Sequence, residues 1–133
     1  MSRLLTVVLI FSAGFGLISA FNWFTRQAII GRKKDDLPFT LDGRPVILYF
    51  TTPECVPCKT IQEPAISKLV MEYGQDSIQI VRIDAAVKPD LASQWKVLSV
   101  PTTFIFDRAG EIKHINRGVS DYHKLKKLVS HFL

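Results

Sequence analysis

The chain has 133 residues, of which 47% are hydrophobic and 22% are charged. This length allows one domain and one appended segment, and it excludes two domains of ordinary size. The formal net charge is +5, but the basic residues do not form the continuous stripe typical of nucleic-acid binding. Part of the excess flanks an apolar run, which favours a membrane surface over nucleic acid as the partner.

The first predicted element is the uncharged run between Arg3 and Arg26. As a helix it would reach about 33 Å, enough to cross a hydrocarbon core of about 30 Å. Phe21 and Trp23 lie near one end of it, where an aromatic belt would sit. We therefore predict a transmembrane anchor over residues 1–26.

Two other interpretations of this run remain open. It could be a cleaved secretory signal, with small residues at Ser19 and Ala20 as a loose cleavage site. It could also be a core helix, although its length and its uniform apolar character argue against this. Residues 27–40 are predicted to be a juxtamembrane linker.

Residues 41–133 have the pattern of an alternating α/β domain, in the order β-α-β-α-β-β-α. We predict one central mixed sheet with helices on both faces. Four runs rich in β-formers or alternating in polarity predict the strands, at residues 45–50, 77–84, 102–107 and 111–117. Gly110 is expected to have a positive φ in the turn between the last two strands.

Three helices are predicted between and after these strands. In the first, apolar side chains at helical spacing are expected to face the core: Ile61, Ala65, Leu69, Val70 and Tyr73. Pro89 opens a second, short helix that runs through Trp95. Ser120 is expected to cap the last helix.

Cys55 and Cys58 lie where the first strand gives way to the first helix. Free N–H groups and the helix dipole at a helix N-terminus favour the thiolate, which is the form that attacks a disulfide. Cys55 is expected at the exposed mouth of the turn, and Cys58 inside the first turn, where it can attack a mixed disulfide on Cys55. Pro57 between them stiffens the turn and leaves no N–H unpaired.

The two thiols could also serve other purposes. They could be small buried hydrophobic residues, but they are the only two cysteines of the chain and only two residues separate them. A zinc site needs four ligands, and the spacing of His114, His123 and His131 does not supply them. A two-coordinate Cu(I) carrier could use the pair alone.

The run "VILYFTTPECVPCK", followed by "SVPTTFIF", "DRAGEI" and Gly118, resembles the thioredoxin family from about Leu41 to Leu133. The resemblance implies a thioredoxin-like fold with Cys55 as the attacking thiol and Cys58 as the resolving thiol. It also implies a cis peptide bond at Pro101 and a substrate groove shaped by Val100, Pro101 and Thr102, with Pro57 beside them.

The sequence departs from the family pattern at four positions. Glu54 replaces a tryptophan, and its charge opposes a thiolate at Cys55. Tyr49 replaces a buried aspartate, and Val56 replaces a glycine. Pro64 stands one residue later than in other thioredoxins, so the first helical turns are expected to differ in shape. These changes are expected to modulate the redox potential and the choice of partner.

The resemblance and the apolar run together predict a membrane-anchored thiol–disulfide oxidoreductase that reduces disulfides of envelope proteins. It would be a monomer without a metal or cofactor. Its partners would be proteins with disulfides or dithiols, together with an electron donor. The alternatives are a Cu(I) metallochaperone that uses the same thiols and a non-catalytic binding module with the same fold.

Two features of the sequence favour opposite orientations of the anchor in the membrane. The basic residues after the run outnumber Arg3 and the amino terminus, which places the domain in the cytoplasm by the positive-inside rule: Arg26, Arg32, Lys33 and Lys34. A disulfide-handling domain is most useful on the oxidising side of the membrane, which favours an extracytoplasmic location. We predict that the domain lies on the extracytoplasmic side.

Overall fold

A computed structural model describes residues 1–30 and 37–133, and its first unit, Met1–Lys33, contains a single long helix. This helix, α1, spans Ser2–Ile30. Its stretch Arg3–Phe24 has a mean hydropathy of 2.3 and none of it is buried. A helix of this length and composition can cross a membrane, and a signal sequence would have the same properties.

The described part of α1 continues past Arg26, the predicted end of the anchor, to Ile30. Residues 31–36 of the predicted linker lie outside the described residues. The basic side chains of that stretch, on which the orientation argument depends, lie outside them as well.

The second unit, Lys34–Leu133, is built around strand β1 (Val46–Thr51), which is buried along its whole length. Such a run of β-branched and aromatic residues suits a strand covered on both faces. Strand β1 pairs in parallel with β2 (Gln79–Asp84) and antiparallel with β3 (Thr102–Phe106). Strand β4 (Ile112–Arg117) pairs antiparallel with β3. The sheet order is β2-β1-β3-β4, which confirms the predicted mixed sheet.

Helices α2 (Glu63–Tyr73) and α4 (Tyr122–Val129) cover one face of this sheet. Their apolar side chains form a core with alternate residues of the strands. The buried members of this core are Ile47, Tyr49, Ala65, Ile66, Leu69, Ile78, Ile105, Leu125 and Val129. Gly74, with φ of +85°, ends α2 in a conformation that glycine adopts without strain.

An aromatic cluster fills the other face, next to helix α3 (Pro89–Gln94). Trp95 follows α3 directly and is fully buried. Its ring lies edge-on to Phe104 and Phe106, with centroid separations of 5.1 and 6.0 Å. Phe39 packs on Phe106 from the segment before β1. Edge-to-face pairs at these distances add to the stabilisation that the burial of large rings provides.

One prediction about α2 is wrong. Ile61 was expected on the buried face, but it is 41% exposed, and its neighbour Gln62 is fully buried instead. The cause is a π-helical turn over Cys58–Gln62, in which the N–H of Glu63 donates to the carbonyl of Cys58 five residues back. A π turn holds one residue more than the α-helical spacing assumes, so the residues before α2 change face.

A second correction concerns α4, which is capped by Asp121 and not by Ser120. The Asp121 carboxylate accepts the N–H of Lys124 at 2.8 Å. Ser120 is buried one residue earlier. In the β3–β4 turn, Gly110 has φ of +80°, which confirms the predicted conformation.

Candidate active site

Cys55 and Cys58 form a disulfide at the end of the segment that follows β1. Helical backbone begins at Val56 and continues through the π turn into α2. The backbone N–H of Cys58 points back and donates to the Sγ of Cys55 at 3.2 Å. A donor in this position favours negative charge on the Cys55 sulfur when the disulfide opens, as the sequence argument expects.

The two sulfurs differ in how far they are buried. Cys55 is 8% exposed and Cys58 is completely buried. Cys55 was expected at the exposed mouth of the turn; in the disulfide form it is largely buried, although more exposed than Cys58. Both residues between the cysteines are exposed: Val56, which is 66% exposed, and Pro57.

Pro101 enters β3 at the same edge of the sheet. Its peptide bond with Val100 is cis, the isomer that the resemblance implies. Thr102 pairs with Phe50 in β1, so Pro101 lies at the end of the sheet where β1 runs on toward the cysteines. Pro101 and Thr102 are buried and Val100 is half-buried.

The loop that carries Pro101 is fixed by two hydrogen bonds. The hydroxyl of Thr102 donates to the carbonyl of Ser99 at 2.6 Å. The N–H of Gly118 donates to the carbonyl of Pro101 at 2.9 Å. The residues that the sequence assigned to the groove are thus brought to one edge of the sheet, together with Gly118.

Tyr49 occupies the position where the resemblance implies a buried aspartate. It is buried in β1 beside Arg82 of β2, which forms an ion pair with Glu63 at 3.0 Å. Burial raises the pKa of the Tyr49 phenol, the positive charge of Arg82 opposes the rise, and the carboxylate of Glu63 adds to it. The side chain is therefore neutral at ordinary pH, and a proton leaving Cys58 must go to another acceptor.

Glu54 is exposed directly before Cys55, so its charge acts on that sulfur mainly through solvent. Among residues 1–30 and 37–133, no three His, Cys, Asp or Glu side chains converge as a group of metal ligands.

Sequence reasoning missed one residue of this region, Gln62, whose side-chain oxygen accepts the N–H of Ser120 at 2.8 Å. The signal that could have found it is the extra residue between Cys58 and Pro64. An insertion at that point shifts the helix by one position and turns a polar side chain toward the core.

Comparison with known proteins agrees with this geometry. The thioredoxin family model matches residues 38–131. Thioredoxin X of Arabidopsis thaliana chloroplasts is 35% identical over 92 residues, which are 68% of this chain and 50% of that protein. Thioredoxin of Bacillus subtilis is 33% identical over 66% of this chain and 82% of its own length. The chain spans only half to three fifths of the length of several relatives, the Arabidopsis protein among them.

The fold has solved counterparts. Mitochondrial thioredoxin 3 of Saccharomyces cerevisiae superposes with a TM-score of 0.59 over 68% of this chain and 81% of that one, at 23% identity. Similarity at that identity concerns the fold alone. The family model, in contrast, covers well over half of the chain and includes both cysteines and Pro101. The protein therefore belongs to the thioredoxin family.

Proposed function

We propose that the protein is a membrane-anchored thiol–disulfide oxidoreductase that reduces disulfides of envelope proteins through Cys55 and Cys58. The observation that carries the proposal is the disulfide at the start of a helix, with the Cys58 N–H directed at the Cys55 sulfur. Family membership supports the same chemistry.

The cycle begins with the reduced pair. The Cys55 thiolate attacks one sulfur of the substrate disulfide, and the other substrate sulfur leaves as a thiolate and takes a proton. Cys58 then loses its proton and attacks the Cys55 sulfur, which forms the Cys55–Cys58 disulfide and releases the second substrate thiol. The substrate gains two electrons and two protons, and the cysteine pair loses them. A dithiol donor protein reverses these steps and restores the pair.

The residues around the pair have separate roles in this proposal. Val100, Pro101 and Thr102 form one side of the groove for the substrate backbone, and Pro57 forms part of the other side. Three further residues modulate the reaction, each in a different way: Val56, Glu54 and Tyr49. Val56 presents an apolar side chain to the partner, Glu54 opposes the thiolate, and Tyr49 keeps a carboxylate out of the position beneath the thiols.

The location of the domain is part of the proposal. Residues 1–26 anchor the chain, residues 27–40 link it, and residues 41–133 act as a monomer on the extracytoplasmic side. The exposed, apolar stretch of α1 supports the anchor, and the disulfide chemistry supports the oxidising side.

Two experiments test the proposal. Full-length protein in detergent should reduce insulin disulfides with dithiothreitol as the electron source, and Cys55→Ser and Cys58→Ser should lose this turnover. A wild type no faster than Cys55→Ser would reject the enzymatic role. A tag on the C-terminus should be removed by protease added outside intact cells, and a tag protected until the cells are lysed would place the domain in the cytoplasm.

A further inference from the structure

Gln62 is a fully buried amide at the end of the π turn that begins with Cys58. Its Oε1 accepts the backbone N–H of Ser120, which is itself buried, at 2.8 Å. A buried N–H without an acceptor is costly, and Gln62 supplies the acceptor here. The contact joins two segments that are distant in the sequence.

The inward direction of Gln62 follows from the π turn. The bond from the Glu63 N–H to the Cys58 carbonyl widens this turn by one residue. Ile61 is consequently directed to solvent and Gln62 to the interior. The extra residue before Pro64 and the buried amide are therefore one structural feature.

Ser120 is two residues away in sequence from Gly118, which contacts the Pro101 side of the groove. The N–H of Gly118 donates to the carbonyl of Pro101 at 2.9 Å. The carbonyl of Gly118 accepts from the side-chain amide of Asn116 in β4 at 2.8 Å. Two hydrogen bonds, joined by the backbone of residues 118–120, thus connect the turn that holds Cys58 with the cis proline.

We propose that Gln62 is a positioning residue for the substrate groove. By holding residues 118–120 against the thiol turn, it keeps the Pro101 side of the groove aligned with Cys55. This inference rests on the roles proposed above for Cys55 and Pro101. A protein substrate must contact both sides of the groove, whereas a small disulfide needs only to reach the Cys55 sulfur.

The test measures kcat and KM for insulin, and the rate with hydroxyethyl disulfide, in the full-length protein in detergent. Gln62→Met preserves the length of the side chain but removes the acceptor. We expect its KM for insulin to rise about tenfold, with kcat and the rate on the small disulfide little changed. Gln62→Glu keeps an acceptor oxygen at this position, and because burial favours the uncharged form of its carboxyl, it should restore much of the loss in KM.

Two matched controls accompany these variants. Ser120→Ala keeps the backbone N–H that Gln62 binds, and Gln79→Met makes the same replacement at the far end of the sheet. Both should have the KM of the wild type. An unchanged KM in Gln62→Met, or an equal loss of activity on both disulfides, would overturn the inference.

A measurement on the wild type does not depend on the folding of any variant. The backbone amide of Ser120 should be strongly protected from hydrogen exchange, because this N–H is buried and bonded to Gln62. Exchange as fast as in an exposed loop would overturn the inference. A wild type that reduces neither disulfide would reject the proposed function and this inference with it, whereas an active wild type with an unaltered Gln62→Met would reject the inference alone.

Discussion

The unequal burial of the two cysteines predicts which sulfur reacts first. Cys55 is 8% exposed and Cys58 is 0% exposed. In the variants Cys58→Ser and Cys55→Ser one thiol remains, so the reactivity of each sulfur can be measured alone. We expect the thiol of Cys55 to react much faster.

The magnitude follows from the contacts that bury Cys58. Before a reagent can reach its sulfur, the turn must open and break three hydrogen bonds. These run from the Lys59 N–H to the Cys55 carbonyl, from the Glu63 N–H to the Cys58 carbonyl, and from the Ser120 N–H to Gln62. At about 1 kcal/mol each, opening costs about 3 kcal/mol, which lowers the accessible population roughly 150-fold. The hydrogen bond from the Cys58 N–H to the Cys55 sulfur favours the Cys55 thiolate and so increases the difference in reactivity between the two thiols.

The assay is the rate of alkylation by iodoacetamide at neutral pH, followed by mass spectrometry. Cys58→Ser should be alkylated at least about 100 times faster than Cys55→Ser. In concentrated guanidinium chloride the two rates should converge, because the protection comes from the fold. Equal rates in the folded protein, or a faster reaction of Cys58, would refute the assigned order of attack.

The remaining predictions concern stability. Gly110→Ala should lower the free energy of unfolding in urea by about 1 kcal/mol, because φ is +80°; the exposed Leu41 side chain, whose Cδ2 would lie 2.7 Å from the new Cβ, can move aside. Gly74→Ala should lose more, about 2 kcal/mol, because φ of +85° with ψ of 151° is a conformation that essentially only glycine adopts, and the reverse order would contradict this account. Asp121→Ala should lose about 1 kcal/mol in the same assay, since the helix N-cap disappears, and an unchanged midpoint would reject the cap. Burial raises the pKa of Tyr49 above its ordinary 10.0, so the folded protein keeps a proton that the unfolded chain loses. Stability should therefore be intact below pH 10.0 and fall as the pH rises above it, less steeply in Tyr49→Phe, and parallel curves for the two proteins would contradict this.

The order of the helices and strands could be predicted from the sequence because helices and strands have distinct periodicities of apolar residues. Strand β1 is an unbroken apolar run, and only a central strand buries such a run on both faces. Glycine and proline mark several boundaries, such as Gly74 after α2 and Pro89 at the start of α3. The cysteine pair and Pro101 were found from the family motif, and the sheet register brings them to one edge.

The residues that the sequence did not reveal depend on tertiary contacts. Helical spacing favours Ile61 over Gln62 as a core residue, and only the π turn reverses the two. Ser120 and Asp121 are equally good caps by residue type. Tertiary contacts decide between them. The N–H of Ser120 is bonded to Gln62 in the core, and the next residue, Asp121, caps α4.

Transfer of a disulfide from a substrate to the cysteine pair tests the central claim most directly. Reduced full-length protein would be mixed with a stoichiometric amount of insulin, quenched with acid and alkylated, and the bonds then assigned by mass spectrometry. We predict one Cys55–Cys58 disulfide for each insulin disulfide that is reduced, with a transient mixed disulfide on Cys55 alone. Insulin that stays oxidised beside free Cys55 and Cys58 thiols would contradict it.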